Sequence, residues 1–230
     1  MFTPQDVLYE DNHLLVVNKH CGDLVQPDKD GDSALENEVK AWIKRRDNKP
    51  GAVFLGVVHR IDRPVSGAIL LAKTSKALTR LNEMVKNRQI VKTYWALIEN
   101  MPPQDEGDLV HHIVRDGRTN RAKAYDKPQK DSKEARLHYK MIASSKNYRL
   151  LEIDLQTGRH HQIRCQLSKM GTPIKGDLKY GATHSNKGGG ISLHSRSLEF
   201  THPVTKEPVK ITAPTPKDDN LCALFEEATR

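Results

Sequence analysis

The sequence predicts an α+β fold with a mainly antiparallel or mixed central sheet and flanking helices. Many apolar segments have the length of strands and are rich in Val, Ile and Leu. Helical periodicity occurs in few segments, and these do not alternate regularly with the strands, as they would in a doubly wound fold. No break in composition marks a domain boundary, so we expect a single domain over residues 1–230.

The first half of the chain predicts short strands and two amphipathic helices. Ser33 and Glu36 have the spacing of a capping box and predict the start of the first helix. Thr74 or Ser75 can cap the second helix, because either hydroxyl can accept a hydrogen bond from the first turn. Strands are predicted over residues 7–10, 13–19, 53–58, 68–72 and 90–99.

The second half predicts more strands and one polar excursion. Residues 115–133 are basic and poor in aliphatic side chains, which is typical of an exposed loop that faces solvent or RNA. Alternating and continuous apolar runs predict strands over residues 108–114, 135–141, 148–155, 191–200 and 209–213. The second and third of these are expected to form a hairpin.

Composition and charge narrow the class of protein. Lys and Arg number 37 against 29 Asp and Glu, a net charge of +8 that favours a polyanionic partner such as RNA. No apolar run is long enough to span a membrane and no signal peptide is evident, so a cytoplasmic location is expected. The three cysteines are far apart, which disfavours a disulfide framework and a thiolate zinc site.

The first candidate site is the connection 59–67 between two predicted strands. It holds the carboxylate of Asp62 between the cations of Arg60 and Arg63. Because Gly67 permits a positive φ, the connection can turn tightly and present that carboxylate beside an anion-binding surface. The alternative is that Asp62 caps a turn and both arginines are solvated.

The second candidate site is a turn followed by a helix over residues 157–171. Arg164 borders the apolar stripe of this helix, so its guanidinium loses hydration and needs an anionic partner, for which Asp62 is the candidate. Arg159 and Gln162 lie farther round the helix, where they can meet solvent or phosphate. The apolar stripe consists of Ile163, Leu167 and Met170.

Several different short motifs are distributed over nearly the whole chain. They are His59-Arg60-Ile61-Asp62, Ser66-Gly67, Lys92-Thr93-Tyr94, Thr157-Gly158-Arg159, His161-Gln162-Ile163-Arg164, Gly176-Asp177, Tyr180-Gly181, Leu193-His194-Ser195 and His202-Pro203, after an early Asn18-Lys19. In this order they resemble the RluA-type RNA pseudouridine synthases.

This resemblance implies an isomerase that acts on RNA without a metal or organic cofactor. It implies a catalytic aspartate at Asp62, a tyrosine at Tyr94 that packs on the target base, and an arginine at Arg164 paired with the catalytic carboxylate. In the family, the arginine of the His-Arg pair occupies the space left by the flipped nucleotide. RNA contacts are therefore expected from Arg60, His59, Arg63, Arg159 and Gln162.

Three positions depart from the family pattern. Val65 stands where Thr is usual, His160 where Thr or Ser is common, and Gln166 where His is frequent. We expect no N-terminal RNA-binding module, because core material already begins at His13. Substrate choice should then depend on the catalytic domain, and a monomer without an obligate protein partner is expected.

Two other classes compete with this interpretation. An RNA-binding module without activity would show the same basic surface, but it would not require both a carboxylate and its arginine. A metal-dependent hydrolase could use His111-His112 or His160-His161. Adjacent histidines are expected to point in different directions, which disfavours this class.

Overall fold

The structure is a computed structural model that describes residues 2–27, 34–216 and 225–227, and it confirms the α+β class. The chain divides into two compact units, Met1–Ile90 with Ser195–Pro214 and Val91–His194 with Thr215–Arg230. The single domain over residues 1–230 stays a prediction. Across the described ranges, no helix has both the length and the apolar character needed to cross a membrane.

The secondary structure follows the predicted order. The helices are α1 (Leu35–Arg46), α2 (Ser75–Lys86) and α3 (Gln162–Lys169), with 3₁₀ turns at Pro4–Asp6 and Leu178–Tyr180. The strands are β1 (Val7–Glu10), β2 (Leu14–Lys19), β3 (Gly56–Val57), β4 (Ser66–Ala72), β5 (Val91–Ile98), β6 (Glu106–Asp116), β7 (Arg121–Tyr125), β8 (Lys133–Ser144), β9 (Arg149–Asp154), β10 (Leu193–Thr201) and β11 (Pro208–Thr212).

In the first unit, α1 and α2 pack on opposite faces of the same strands. Strand β2 pairs antiparallel with β1 and β4, β4 lies beside β10, and β10 pairs antiparallel with β11. Because successive strand residues point to opposite faces, β2 and β4 supply two separate apolar cores. One core includes Ala77 and Leu81 of α2, and the other includes Val39 and Ile43 of α1.

The predicted cap is confirmed for α2, whereas the predicted cap of α1 falls outside the described residues. Thr74 Oγ1 accepts a hydrogen bond from the Ala77 N–H at 3.1 Å, so the predicted cap of α2 is confirmed. Helix α1 begins after Ala34 at its N-cap, whereas Ser33 of the predicted capping box lies outside the described residues.

The strand predicted over residues 53–58 is much shorter than expected. Only β3 (Gly56–Val57) is extended and paired within that range, and its partners are Leu71 and Ala72 at the end of β4. The preceding Phe54 is 47% exposed, so this part of the apolar run lies on the surface rather than in the sheet. An apolar run alone does not guarantee a strand.

Gly67 is required by a close approach of two backbones. Its φ is +114°, and a Cβ at this position would lie 2.3 Å from the carbonyl oxygen of Ser195. The Ser195 hydroxyl in turn donates a hydrogen bond to the Ala68 carbonyl at 3.1 Å. The Ser66-Gly67 and His194-Ser195 motifs therefore contain a contact that positions the start of β4.

In the second unit, five strands are ordered β5-β9-β8-β6-β7, and each neighbouring pair is antiparallel. Helix α3 covers one face of these strands. Cys165 of α3 and Tyr180 pack there against small side chains of β7 and β8, which are Ala122, Ala124 and Ala135. This face also positions the residues of the second candidate site.

The exposed excursion predicted over residues 115–133 is wrong for its first part. Strand β6 extends to Asp116 and returns as β7, with Asp116 paired to Arg121. The Asp116 carboxylate closes the turn, because it accepts hydrogen bonds from the Arg118 N–H at 2.9 Å and the Thr119 hydroxyl at 2.7 Å. Small alanines on β7 face inward between exposed cations, so the sequence of this strand lacks the large aliphatic residues that predict a strand.

The outer part of this unit contains a histidine between two carboxylates. His138 Nδ1 lies 2.9 Å from Asp108 Oδ1, and its Nε2 lies 3.1 Å from Glu106 Oε1. The hydrogen bond to Asp108 raises the pKa of His138, and Glu106 adds to the effect. Lys140 lies 3.7 Å from Glu106, and Asp154 is the register partner of His138 on β9.

We expect the protonated form of His138 to stabilise the fold in a pH-dependent way. Because its pKa is raised on folding, this stability is fully present below the unfolded pKa of about 6.5 and is lost as pH rises through the folded pKa. Thermal unfolding of the wild type and His138→Gln should differ at pH 6 and converge at pH 9. The exposed control His184→Gln should follow the wild type throughout, and an equal response of both variants would contradict the assignment.

Candidate functional site

Backbone hydrogen bonds hold Asp62 on the connection between β3 and β4. The Asp62 carbonyl accepts a hydrogen bond from the Val65 N–H at 3.0 Å, which closes a turn around the half-buried carboxylate. His59 Nε2 accepts a hydrogen bond from the Leu70 N–H of β4 at 3.2 Å, so the imidazole ties the start of the connection to the strand. This hydrogen bond gives His59 a structural role, and its contact with RNA stays a prediction.

The side chain of Lys19 also holds this connection in place through hydrogen bonds. Its side chain is almost completely buried, and Nζ donates hydrogen bonds to the carbonyls of His20 at 2.8 Å, Asp23 at 2.7 Å and Arg63 at 3.2 Å. The Gly22 N–H also donates to the Arg63 carbonyl at 2.9 Å, and Arg63 Nε donates back to the Gly22 carbonyl at 3.0 Å. The segment after β2 and the Asp62 loop therefore form one hydrogen-bonded unit.

The charge of Lys19 is retained at neutral pH despite its burial. Burial lowers the pKa of Lys19 to about 8, while the carboxylates of Asp23 and Asp62 act in the opposite direction. The ammonium form has three N–H donors, which matches the three carbonyl acceptors. The Asn18-Lys19 motif pointed to this residue, but no role could be derived from the motif alone.

Replacing Lys19 should destabilise the first unit. Lys19→Met keeps the length of the side chain but leaves buried carbonyls without their donor, at a cost of about 1–3 kcal/mol in the free energy of unfolding. Urea unfolding followed by circular dichroism measures this change. Lys76→Met, at an exposed position of α2, is the matched control and should leave the midpoint unchanged. An unchanged midpoint for Lys19→Met would contradict the role of its hydrogen bonds.

Arg164 forms a buried ion pair that the sequence did not predict. Its Nε lies 2.7 Å from Asp177 Oδ2, and its Nη2 lies 2.8 Å from Asp177 Oδ1. Arg164 is 5% exposed and Asp177 is 1% exposed, so both charges lie inside the unit. The pairing of Arg164 with Asp62 stays a prediction.

Tyr180 connects this ion pair to a histidine. The Arg164 guanidinium carbon lies 4.9 Å from the centre of the Tyr180 ring. The Tyr180 hydroxyl accepts a hydrogen bond from the Ala122 N–H at 2.7 Å and lies 2.8 Å from His161 Nδ1. The Tyr180 hydroxyl either donates its proton to Nδ1 or accepts one from it, according to which ring nitrogen of His161 carries the proton.

His161 is neutral at physiological pH. Burial lowers its pKa to about 3, and the positive charge of Arg164 adds to this effect. Burial also raises the pKa of Tyr180 to about 12, so the hydroxyl keeps its proton. The network thus contains one buried ion pair, one phenol and one neutral imidazole.

The two adjacent histidines before α3 do not diverge as expected. His161 has a left-handed backbone, with φ of +51°, and this brings its ring onto that of His160 with 3.8 Å between the ring centres. The expected divergence of the pair is therefore wrong. The absence of a metal requirement stays a prediction.

Gln162 is buried and braces the turn before α3. Its Oε1 accepts hydrogen bonds from the Thr157 hydroxyl at 2.7 Å and the Arg159 N–H at 3.0 Å, and its Nε2 donates to the Arg136 carbonyl at 3.0 Å. The expected exposure of Gln162 to solvent is therefore wrong, and its contact with RNA stays a prediction. Arg159 is half-buried, and its Nε donates to the Glu134 carbonyl at 2.8 Å.

Tyr94 lies on β5 and is 5% exposed. It is the register partner of Ile153, which in turn pairs with Tyr139 of β8. By strand alternation, Tyr139 shares its face with Ala135, the β8 residue that packs against α3. Tyr94 and Arg164 therefore belong to the same side of the second unit, whereas Asp62, His59, Arg60 and Arg63 belong to the first unit.

Comparisons with known proteins identify the family. A family model described as RNA pseudouridylate synthase matches residues 13–169, a range that includes Asp62, Tyr94 and Arg164. The fold resembles that of human RNA pseudouridylate synthase domain containing 4, with a TM-score of 0.79 and 22% identity, over 96% of this chain and 92% of that one. This likeness concerns the fold alone.

Two bacterial relatives agree with the family model. The uncharacterized RNA pseudouridine synthase YlyB of Bacillus subtilis is 33% identical over 214 residues, which cover 93% of this chain and 70% of that protein. The ribosomal large subunit pseudouridine synthase D of Xylella fastidiosa is 35% identical over 237 residues, which cover 96% of this chain and 69% of that protein. The chain is thus an isomerase that acts on RNA. It belongs to the RNA pseudouridylate synthase family.

Proposed function

We propose that the chain converts specific uridines of structured RNA, ribosomal or transfer RNA, into pseudouridine, with Asp62 as the catalytic carboxylate. The observation that carries this proposal is the family match, whose range includes the Asp62 loop, Tyr94 and Arg164. The Xylella relative is a ribosomal large subunit pseudouridine synthase, which favours ribosomal RNA. The hydrogen bonds that fasten the Asp62 loop to Lys19 and β4 support a fixed position for the carboxylate.

The reaction exchanges one glycosidic bond for another. The bond from uracil N1 to C1′ breaks, the base rotates, and a bond from C5 to C1′ forms while the C5 proton leaves to water and N1 gains a proton. Asp62 could add to C1′, add to C6, or remove the C2′ proton on the way to a glycal. Each route needs an ionised carboxylate, and a neighbouring arginine favours that form. We assign this role to Arg164.

Tyr94 and the exposed arginines supply binding in this proposal. A flat aromatic ring stacks on a flipped base with about 1–3 kcal/mol, which offsets part of the cost of extruding the nucleotide. The Tyr94 hydroxyl is also suited to assist proton removal at C5. Arg60 is assigned to the space left by the flipped nucleotide, and Arg63 and Arg159 to phosphate contacts. His59 and Gln162 are left as residues that hold their loops.

We further propose that a monomer carries out the reaction in the cytoplasm without metal, organic cofactor or obligate protein partner. A carboxylate, a tyrosine and an arginine supply the charge and stacking that the reaction requires. Full activity in the presence of a chelator, together with a monomeric mass in light scattering, is the expected result. Loss of activity in the chelator would favour a metal-dependent enzyme instead.

Release of tritium from C5 tests the proposed reaction. Total RNA labelled with tritium at uracil C5 is prepared from cells that lack the protein, so that its target uridines are unmodified. We expect the purified protein to release tritium to water from this RNA, and separate ribosomal and transfer RNA fractions identify the substrate class. Binding of the RNA without any release would overturn the isomerase and favour an RNA-binding module.

A further inference from the structure

The proposed reaction does not use the buried carboxylate beside Arg164. Asp177 is 1% exposed, and both of its oxygens are bonded to the guanidinium. Burying two charges carries a large desolvation cost, and apolar residues of similar volume often give equal or greater stability. Because Arg164 is also the residue assigned to the catalytic carboxylate, this pair points to a role in the reaction rather than to stability alone.

We infer that Asp177 and Tyr180 are positioning residues of the reaction, which act by holding the Arg164 guanidinium in one orientation and by compensating its charge. This inference rests on the proposed function. The two residues follow the matched family segment in the chain, since that segment ends at residue 169.

Orientation is determined by a two-point contact. The Asp177 bonds to Nε and Nη2 define both the plane and the edge of the guanidinium, and Nη1 is the nitrogen that is not part of this pair. The Tyr180 ring lies against the guanidinium, and its hydroxyl is bonded to the Ala122 N–H of β7, so the ring cannot swing away without breaking that bond. A group held in this way acts on a reacting partner without first being ordered.

The backbone of Asp177 is held as firmly as its side chain. Its carbonyl accepts hydrogen bonds from the N–H groups of Tyr180 and Ala182, both at 3.0 Å, and its own N–H donates to the Ile174 carbonyl at 2.9 Å. These bonds join the carboxylate and the aromatic ring in one short turn. Asp177 and Tyr180 therefore move together, and so does the guanidinium between them.

Charge compensation gives the pair a second use. In the proposed reaction the catalytic carboxylate loses its negative charge whenever it bonds covalently to the substrate or takes up a proton. Without Asp177, Arg164 would at that moment be a buried cation with no anionic partner, which is energetically costly. With Asp177 in place, its charge stays balanced through every step.

Asp177→Asn is the direct test, because the amide keeps the shape of the side chain and removes its charge. With the full-length protein in the tritium-release assay, we expect kcat to fall about 100-fold while KM changes by less than about threefold. Circular dichroism and the melting temperature report whether the variant is folded. The matched control is Ser168→Ala on α3. It loses a hydrogen bond from the Ser168 hydroxyl to the Tyr180 carbonyl and should keep the wild-type kcat.

A double-mutant cycle separates positioning from other roles. If Asp177 acts through Arg164, Asp177→Asn should change kcat by less than about threefold when it is added to Arg164→Lys. Tyr180→Phe keeps the ring but loses the bond to Ala122, and it should lower kcat about tenfold at unchanged KM. If Asp177→Asn does not fold, the kcat of Tyr180→Phe tests the positioning role instead.

Three results would overturn the inference while leaving the proposed function intact. The first is a wild-type kcat in folded Asp177→Asn, and the second is a wild-type kcat in Tyr180→Phe. The third is that Asp177→Asn lowers kcat as much in the Arg164→Lys background as it does alone. Failure of the wild-type protein to release tritium would instead overturn the proposed function itself.

Discussion

Asp62→Asn is expected to fold like the wild type and to lose at least about 1,000-fold in the rate of tritium release. The amide is isosteric with the carboxylate, and the hydrogen bond from the Val65 N–H to the Asp62 carbonyl belongs to the backbone, so the loop should keep its conformation. An amide can neither attack the ribose or base nor accept the C2′ proton at a useful rate. Single-turnover assays with enzyme in excess measure this loss.

The control for this variant is Asp105→Asn, which makes the same chemical change at an exposed loop position. It should release tritium at the wild-type rate. RNA binding by Asp62→Asn, measured by filter retention, should remain within about threefold of the wild type, because the substitution leaves in place the arginines that we propose as phosphate contacts. Wild-type release by folded Asp62→Asn would exclude Asp62 as the catalytic carboxylate.

Arg164→Leu is expected to produce the largest loss of stability. It leaves the Asp177 carboxylate buried without its counter-ion, which should lower the free energy of unfolding by about 3–5 kcal/mol. Urea unfolding measures this change. The double variant Arg164→Leu with Asp177→Leu removes both charges, so it should regain most of the lost stability while remaining inactive.

This contrast separates folding from function at one pair of residues. A double variant that is as unstable as Arg164→Leu alone would show that shape, and not charge, determines stability at this site. An active double variant would show that the reaction does not need Arg164. The exposed Arg118→Leu, at the β6–β7 turn, is the control and should change neither quantity.

The sequence predicted most of the described strands and the helices α1, α2 and α3, because each element carries its own local signal. The Thr74 cap of α2 is an example, since the bond it makes lies within four consecutive residues. The β6–β7 hairpin was missed because its inward residues are alanines, which an interpretation based on Val, Ile and Leu does not detect. The short β3 shows the opposite error, in which an apolar run lies partly on the surface.

The sequence located the Asp62 connection before β4, whereas the catalytic role of Asp62 stays a prediction. Asp62 stands out from its neighbours in the sequence, whereas the partners of Lys19 and Arg164 depend on contacts between separate segments. Gly176-Asp177 was recognised as a motif, but the ion pair to Arg164 appears only once the chain is folded. The burial of Gln162 likewise depends on Thr157 and Arg136, which helical spacing does not place.

Product analysis tests the central claim most directly. Unmodified RNA is incubated with the purified protein, digested to nucleosides and separated by chromatography with mass detection. We expect pseudouridine to appear in a fixed ratio to the RNA, with an equal loss of uridine and no free uracil, because the broken bond is rejoined through C5. Free uracil would show hydrolysis of the glycosidic bond, and unchanged uridine would show binding alone. Either result would contradict the assignment of this chain as an RNA uridine isomerase.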